Sequence, residues 1–110
     1  MYDLLKTPEF DDWYSGQPLK SRLQIDDRFS HIVRDGYFGV HKDLTEEVSE
    51  LKWKNGRRVY YAYLAKYELL LLLGGNKNGQ DKDIKQAQKI FRKYAEKDIS
   101  PKKEDNATKT

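Results

Sequence analysis

The chain has 110 residues, 37% of them hydrophobic, which suits one domain with a single modest core, and its formal net charge is +3. It contains no cysteine, which excludes disulfides, thiolate catalysis and cysteine-ligated zinc. Neither a signal peptide nor an apolar span of about 20 residues is present, so we expect a cytoplasmic protein without a membrane anchor.

The N-terminal third of the sequence predicts two consecutive helices. Residues 1–6 form a short mixed segment to which we assign no element. Thr7 and Pro8 are typical of an N-cap and a first helical position, and aromatic residues recur after them at helical spacing. The polar stretch 15–18 ends this helix, and a second amphipathic helix extends to Gly36, a natural C-cap residue. The two form a helical hairpin.

The middle of the chain predicts two antiparallel strands. The segment 37–43 (YFGVHKD) has the composition of a turn, and 48–54 (VSELKWK) then alternates in polarity. This alternation predicts a strand with one buried face and with Glu50 on its solvated face. Asn55-Gly56 is a strong signal for a β-hairpin, and the aromatic and β-branched run at 58–63 would be its second strand.

Residues 60–73 (YYAYLAKYELLLLL) fit either one long helix or two strands joined by a turn near Ala65-Lys66. The leucine run at 69–73 is continuous rather than periodic, which favours the innermost strand of a sheet. We expect Gly74 and Gly75 to let the chain leave the core there and enter a polar loop.

The C-terminal segment predicts a final helix and a polar tail. Asn78 is a candidate cap, and Asp81 and Asp83 suit the positive end of the helix dipole, so we assign both acids to helix structure. An apolar stripe then recurs at helical spacing, and this helix would pack on the sheet. We expect residues 97–110 to be an unstructured tail.

Charge is distributed unevenly along the chain. Residues 1–50 carry 6 Lys or Arg and 11 Asp or Glu, whereas residues 51–110 carry 15 and 7. The basic half fits a surface that binds phosphate or an acidic partner, and it fits equally a solvated lysine-rich face. His31 is expected to be a solvated helix residue, His41 is a candidate to reach a site on the sheet, and the two histidines do not form a metal-binding pattern.

Three segments together resemble the RelE/ParE superfamily of bacterial toxins, in particular the HigB-like addiction-module killer proteins. They are TPEFDDW, ELKWKNGRRVYY and LLLLLGGNKNGQDKDIKQA. The resemblance covers residues 1–95 and implies a toxin domain at 1–96 with an α+β fold. In that fold an N-terminal helical hairpin packs on a small antiparallel β-sheet with a C-terminal helix, so residues 60–73 would form two strands. The chain departs from the family pattern at Arg57, Leu73 and Asn76, where Tyr, a small residue or Cys, and Asp are usual.

The resemblance implies the toxin component of a type II toxin–antitoxin system, neutralised by a cognate antitoxin. It implies an endoribonuclease that cleaves mRNA on the ribosome and inhibits translation, without a metal or a small-molecule cofactor. A ParE-like poison of DNA gyrase is the alternative, and an inactive, prophage-derived binding module of the same fold is a third possibility. Few residues suited to proton transfer stand out in the sequence, which mildly favours the inactive module.

The resemblance also indicates which residues would form the site. Arg58 and Lys77 match the family's strand arginine and loop lysine and are the candidate catalytic residues, with a phosphate as their target. A cross-strand pair with Glu50 is the purely structural alternative for Arg58. The candidate substrate-binding residues are Lys52, Lys54, Arg57, Tyr60, Gln80 and His41.

Overall fold

A computed structural model describes residues 1–45 and 47–104. In chain order the elements are β1 (Asp3–Lys6), α1 (Pro8–Ser15), α2 (Leu19–Asp35), β2 (His41–Asp43), β3 (Ser49–Lys52), β4 (Arg57–Ala65), β5 (Glu68–Asn76) and α3 (Gln80–Glu104). A short 3-10 turn, Lys77–Gly79, joins β5 to α3. The predicted α+β class, with a helical hairpin followed by a sheet and a C-terminal helix, is confirmed.

The five strands form one sheet in the order β1-β5-β4-β3-β2. The prediction of a purely antiparallel sheet is wrong at one edge, because β1 pairs parallel with β5, from Asp3 opposite Glu68 to Lys6 opposite Leu71. Both edge strands, β1 and β2, come from segments for which the sequence predicted no strand. β1 has four residues and β2 has three, and each forms where a neighbouring strand offers its backbone.

The two N-terminal helices begin and end at the predicted residues. Thr7 caps α1 by accepting a 3.0 Å hydrogen bond from the Phe10 N–H, and Pro8 occupies the first helical position. The Thr7 hydroxyl also lies 3.0 Å from the carbonyl oxygen of Leu71 in β5, which fixes the start of α1 against the sheet. Gly36 ends α2 in the left-handed conformation, with φ of 68°.

Residues 60–73 form two antiparallel strands, as the continuous leucine run favoured. β4 and β5 are joined by a turn at 66–67 and pair along most of their length. The prediction that the leucines form the innermost strand is wrong by one position, since β4 is the central strand. β5 is nevertheless covered on both faces, so its side chains are buried on either side.

Two hydrophobic cores lie on opposite faces of the sheet. The first joins α1 and α2 to the sheet and includes Phe10, Ile25, Phe29, Ile32, Val59, Tyr61, Leu69 and Leu71. The second joins α3 to the sheet and includes Val48, Tyr60, Ala62, Leu70, Leu72, Ala87 and Ile90. The molecule therefore has three layers, and alternate leucines of β5 enter different cores.

Gly74 and Gly75 remain within β5, so the prediction that they release the chain into a loop is wrong. They are required for close packing instead. A Cβ atom at Gly74 would lie 2.2 Å from the Trp13 ring, and one at Gly75 would lie 2.1 Å from Oδ2 of Asp83. The two glycines thus admit a side chain from each neighbouring layer.

The C-terminal helix differs from the prediction at both ends. Asn78, the predicted cap, lies within the 3-10 turn that precedes α3, and Asn76 caps that turn by accepting a 2.9 Å hydrogen bond from the Asn78 N–H. α3 extends to Glu104, beyond the expected end, and the rest of the predicted tail, 105–110, lies outside the described residues. Within the described residues no helix combines the length and the apolar character needed to cross a bilayer.

Candidate nucleic-acid interface

Arg57 and Arg58 are consecutive in β4 and therefore point to opposite faces of the sheet. Arg57 Nη2 donates to Ser21 Oγ of α2 over 3.0 Å. Arg58 Nε lies 3.7 Å from Oε1 of Glu50, on the face where Tyr60 packs against α3. The structure therefore does not bring the candidate substrate-binding residue Arg57 together with Arg58, because the sheet separates the two side chains.

Arg58 belongs to a buried polar cluster with Glu50 and Gln80. Glu50, predicted on a solvated face, is only 1% exposed because α3 covers it, and it accepts a 2.9 Å hydrogen bond from Gln80 Nε2. The Arg58–Glu50 contact is the pairing expected if Arg58 were purely structural. Yet Oε2 of Glu50 and Nε of Arg58 have no hydrogen-bond partner within the described part of the chain. Unpaired buried polar atoms lower stability, so this cluster is not optimised for stability alone.

Asp83 brings a second carboxylate to the same face. It lies in the first turn of α3, and its carboxylate sits directly over Gly75, the cross-strand partner of Arg58. Burial raises the pKa of Asp83 above its ordinary value, against an opposing effect of Lys82. A half-buried carboxyl with a raised pKa is suited to accept and release a proton.

Tyr60 lies at the bottom of the cluster and is fully buried. Burial raises the pKa of its hydroxyl strongly, and the nearby charges of Asp83 and Glu50 raise it further. Its hydroxyl has no hydrogen-bond partner among the described residues. A stacking role for Tyr60 on an RNA base does not fit this burial, because its ring is covered by the α3 core.

The predicted lysines lie around one end of the sheet. Lys77 is exposed in the 3-10 turn, where its N–H donates a 2.8 Å hydrogen bond to the carbonyl of Gly56. Its aliphatic stem lies against Gly56, two residues before Arg58 in the chain. Lys52 is the cross-strand partner of Arg58, and Lys54 is exposed in the β3–β4 turn. Lys52 and Lys54 also line a cavity with Arg28 of α2, on the other side of the sheet from α3.

This arrangement has the groups needed for cleavage of a phosphodiester. A guanidinium and a lysine supply positive charge for a phosphate, and a carboxyl of raised pKa stands on the same face. Within residues 1–45 and 47–104, no group of three or more His, Asp or Glu side chains is placed to hold a metal ion. The chemistry that these residues offer is acid–base catalysis with charge stabilisation.

Sequence comparison identifies a relative of the chain. No family model matches the sequence. The chain is 37% identical over 84 residues to an uncharacterized protein of Haemophilus influenzae, and the match covers 74% of this chain and 84% of that protein. The two proteins belong to one family.

Solved structures provide the comparison of folds. The isolated RelE toxin of E. coli superposes with a TM-score of 0.59 and 13% identity, over 78% of this chain and 98% of RelE. The chain has the RelE fold. A chain of the E. coli RelBE toxin–antitoxin complex gives a TM-score of 0.58 at 14% identity, over 69% of this chain and 96% of its own length. In the RelBE2 toxin–antitoxin complex of Mycobacterium tuberculosis the TM-score is 0.57, also at 14% identity, with coverage of 68% and 96%.

The histidines lie away from the cluster in this RelE fold. His41 is on the edge strand β2, opposite Leu51, and its ring lies 5.5 Å from the ring of Phe38 on the α1 and α2 face. The structure therefore does not bring His41 to Arg58. His31 is a partly exposed residue of α2 between Asp27 and Asp35, as predicted.

Two residues of the candidate site in this RelE fold were missed from the sequence. Glu50 was predicted to be solvated, and Asp83 was assigned to the helix dipole. Both errors arise because the burial of each residue depends on the docking of α3 over the sheet, which no local pattern encodes. For Asp83 the sequence holds one hint of burial. It follows Asp81 by two residues and directly precedes Ile84, where the apolar stripe of the helix begins.

Proposed function

We propose that this chain is the toxin of a type II toxin–antitoxin pair, a HigB-like member of the RelE/ParE superfamily. In this proposal it acts in the cytoplasm, cleaves mRNA on the ribosome and so inhibits translation. The RelE fold supports the proposal, since that fold is shared with a toxin solved alone and with toxin–antitoxin complexes. One observation carries it: Arg58 and the two carboxylates of Glu50 and Asp83 meet on one face of the sheet.

The positive charges would act on the phosphate. When the 2′-oxygen attacks the neighbouring phosphorus, the phosphoryl oxygens gain negative charge, and a nearby guanidinium stabilises it. Arg58 is the residue for this role because it lies beside Glu50, whose carboxylate is held by Gln80. Lys77 would add a second cation from the 3-10 turn, whose backbone is anchored to Gly56.

The carboxyl of Asp83 would handle the proton. In the proposed reaction Asp83 accepts the proton of the 2′-hydroxyl, the new O–P bond forms, and the bond from phosphorus to the 5′-oxygen breaks. The departing oxygen takes a proton from the protonated Asp83 or from water. The products are a 2′,3′-cyclic phosphate and a free 5′-hydroxyl. The raised pKa of Asp83 favours this role over Glu50, which is buried and already bonded to Gln80.

The partners that we propose are the ribosome with its mRNA and a cognate antitoxin. The excess of cations in residues 51–110 suits an RNA backbone and an acidic antitoxin segment alike. An antitoxin lying over Lys77 and Lys54 would cover the cluster and neutralise the toxin.

The test is inducible expression of the wild type, Arg58→Ala, Arg58→Lys and Arg34→Ala in bacteria. Growth and the 5′ ends of mRNA are recorded before and after induction. We expect growth arrest with new, translation-dependent mRNA ends for the wild type, and their loss in Arg58→Ala. Arg58→Lys keeps the positive charge but cannot make the bidentate contact of a guanidinium with a phosphate, so this variant should cleave weakly. Arg34→Ala should behave as the wild type, since Arg34 is an exposed residue of α2.

Purified variants are compared by circular dichroism and thermal unfolding, so that a loss of fold is distinguished from a loss of function. Arrest without new mRNA ends would contradict cleavage and indicate the gyrase alternative. Unimpaired growth of cells expressing folded wild-type protein without antitoxin would indicate a binding module.

A further inference from the structure

A small pocket surrounds Arg57 on the face of the sheet opposite to Arg58. It has a volume of about 260 Å³ and opens between the α1–α2 connection and the β3–β4 turn. We call it the Arg57 pocket. Its lining includes Trp13, Gln17, Ser21, Asn55, Arg57 and Asn76.

The Arg57 guanidinium is buried without an anion. The residue is 7% exposed, and no carboxylate of the described residues lies within ion-pair distance of it. Its Nη2 donates to Ser21 and its plane lies 5.4 Å from the Trp53 ring, but within the same described part Nη1 has no hydrogen-bond partner. A buried cation of this kind is unfavourable unless an anion compensates it. Burial accordingly lowers the pKa of Arg57.

Three other polar side chains of the pocket, those of Ser21, Asn55 and Asn76, can donate a hydrogen bond. Ser21 Oγ accepts from Arg57 Nη2, and Asn55 Oδ1 accepts a 3.0 Å hydrogen bond from the Arg57 N–H. Asn76 Oδ1 accepts in the same way from the N–H of Asn78. Each of these oxygens already accepts one hydrogen bond, and the hydroxyl or amide NH₂ of the same residue can donate another. Gln17 differs, because its Nε2 donates to the Trp13 carbonyl. No Asp or Glu is among the residues that line the pocket.

We propose that the Arg57 pocket binds a phosphate group. Several donors around one guanidinium match the three or four oxygens of a phosphate better than the two of a carboxylate. The proposal does not depend on the nuclease activity proposed above, since Arg57 and Arg58 lie on opposite faces. The phosphate has two conceivable sources, a free or terminal phosphate and a phosphodiester of an RNA strand, and both present the same oxygens to the pocket.

The test is a titration of the ¹⁵N-labelled protein with sodium phosphate, at constant ionic strength, followed by NMR. The indole N–H of Trp13 and the side-chain N–H groups of Arg57 report on the pocket. Three variants are compared with the wild type. Asn55→Asp keeps the oxygen that accepts from the Arg57 N–H but puts a negative charge beside the guanidinium. Arg57→Gln removes the guanidinium, and Lys20→Gln is the matched control, since it removes one exposed charge of α2 that does not line the pocket.

We expect saturable shifts of these signals in the wild type and in Lys20→Gln. In Asn55→Asp the affinity should fall by about tenfold or more, which corresponds to the loss of one charge-assisted hydrogen bond. Asn55→Asp is expected to stay folded, since Asp-Gly also favours the hairpin turn, so the test holds even if Arg57→Gln unfolds. Non-saturable shifts, or equal affinity in Asn55→Asp and the wild type, would overturn the proposal.

The source of the phosphate is identified by competition. Adenosine 5′-monophosphate and a short RNA oligonucleotide without terminal phosphates are added in turn to the wild type and to Asn55→Asp. Displacement by the mononucleotide alone supports a site for free or terminal phosphate, and displacement by both supports a site that also accepts a phosphodiester. Displacement by neither contradicts a nucleotide source and leaves inorganic phosphate as the ligand.

Discussion

Arg57 and Arg58 are neighbours in the chain, yet the full thickness of the sheet lies between their guanidinium groups. Arg58 is paired with Glu50 beneath α3, and Arg57 is buried beside α2, where none of the described carboxylates forms an ion pair with it. The alternation of a strand was enough to predict this separation. Grouping the arginines by charge, as we did from the sequence, hid it. Residues of one strand lie on the same face when their positions differ by an even number. This spacing is better evidence of a shared site than like charge is.

In the proposed mechanism, Asp83 is the acid that accepts and returns the proton. Asp83→Asn should reduce mRNA cleavage by roughly 10²–10⁴-fold, the usual contribution of a general acid or base. Asp81→Asn is the matched control, because Asp81 is an exposed acid of the same helical turn. Cleavage rates of the purified variants on translating ribosomes provide the measurement. Equal rates for both variants would remove Asp83 from the mechanism.

The same pair of variants tests the burial of Asp83 through pH. Its pKa is raised in the folded state, so its stabilising effect is complete below the unfolded pKa of about 3.9 and is lost as pH rises through the folded pKa. Asp83→Asn should therefore gain stability relative to the wild type as pH rises above that window, more than Asp81→Asn does. Urea unfolding at several pH values measures this difference, and parallel curves for both variants would contradict the burial.

Among the elements, the end of β5 makes the most specific demand on sequence. Gly74→Ala should lower the free energy of unfolding by about 1–3 kcal/mol, because its Cβ would collide with the rigid Trp13 ring. Gly75→Ala should lower it less, since the obstructing atom is Oδ2 of Asp83, which can rotate away. That rotation would displace Asp83, so Gly75→Ala should lose cleavage while it keeps more of its stability than Gly74→Ala does. Urea unfolding and cleavage assays on both variants test this contrast, and an equal loss of stability would contradict it.

The elements that the sequence predicted are those whose signals are local. The cap at Thr7, the left-handed Gly36 and the hairpin turn before β4 all depend on a few adjacent residues, and all are found. The edge strands β1 and β2 have no such signal, because they form only against a neighbour's backbone. The same distinction applies to the candidate site. The sequence motif indicated Arg58 and Gln80, whereas the burial of Glu50 and Asp83 depends on the docking of α3 and was not predicted.

At the scale of the whole molecule, the N-terminal segment connects the sheet to the helical layer, since β1 forms one edge of the sheet. Tyr2 packs edge-on against Phe38 and Tyr67, with ring centroids 5.2 and 5.3 Å apart. Deletion of residues 1–6 should lower the free energy of unfolding by at least about 2 kcal/mol, through lost strand hydrogen bonds alone. It should also leave an edge of β5 open to pairing between molecules.

Urea unfolding and size-exclusion chromatography measure these two effects. Leu5→Asp is the control, because Leu5 is an exposed residue of β1 and its substitution leaves the strand's backbone in place. A deleted chain that remains monomeric and as stable as the wild type would show that β1 is dispensable.

The parallel pairing of β1 with β5 also has a consequence for synthesis. A ribosome makes β1 first, but its partner appears only with residues 68–71, and Gln80 and Asp83 follow later still. The chain emerges N-terminus first, so its earliest strand waits unpaired while most of the domain is still being translated. Contacts between such distant positions slow folding, because a long loop must close before they form. A ribosome translating this protein therefore synthesises at least 83 of its 110 residues before the cluster around Arg58 can form.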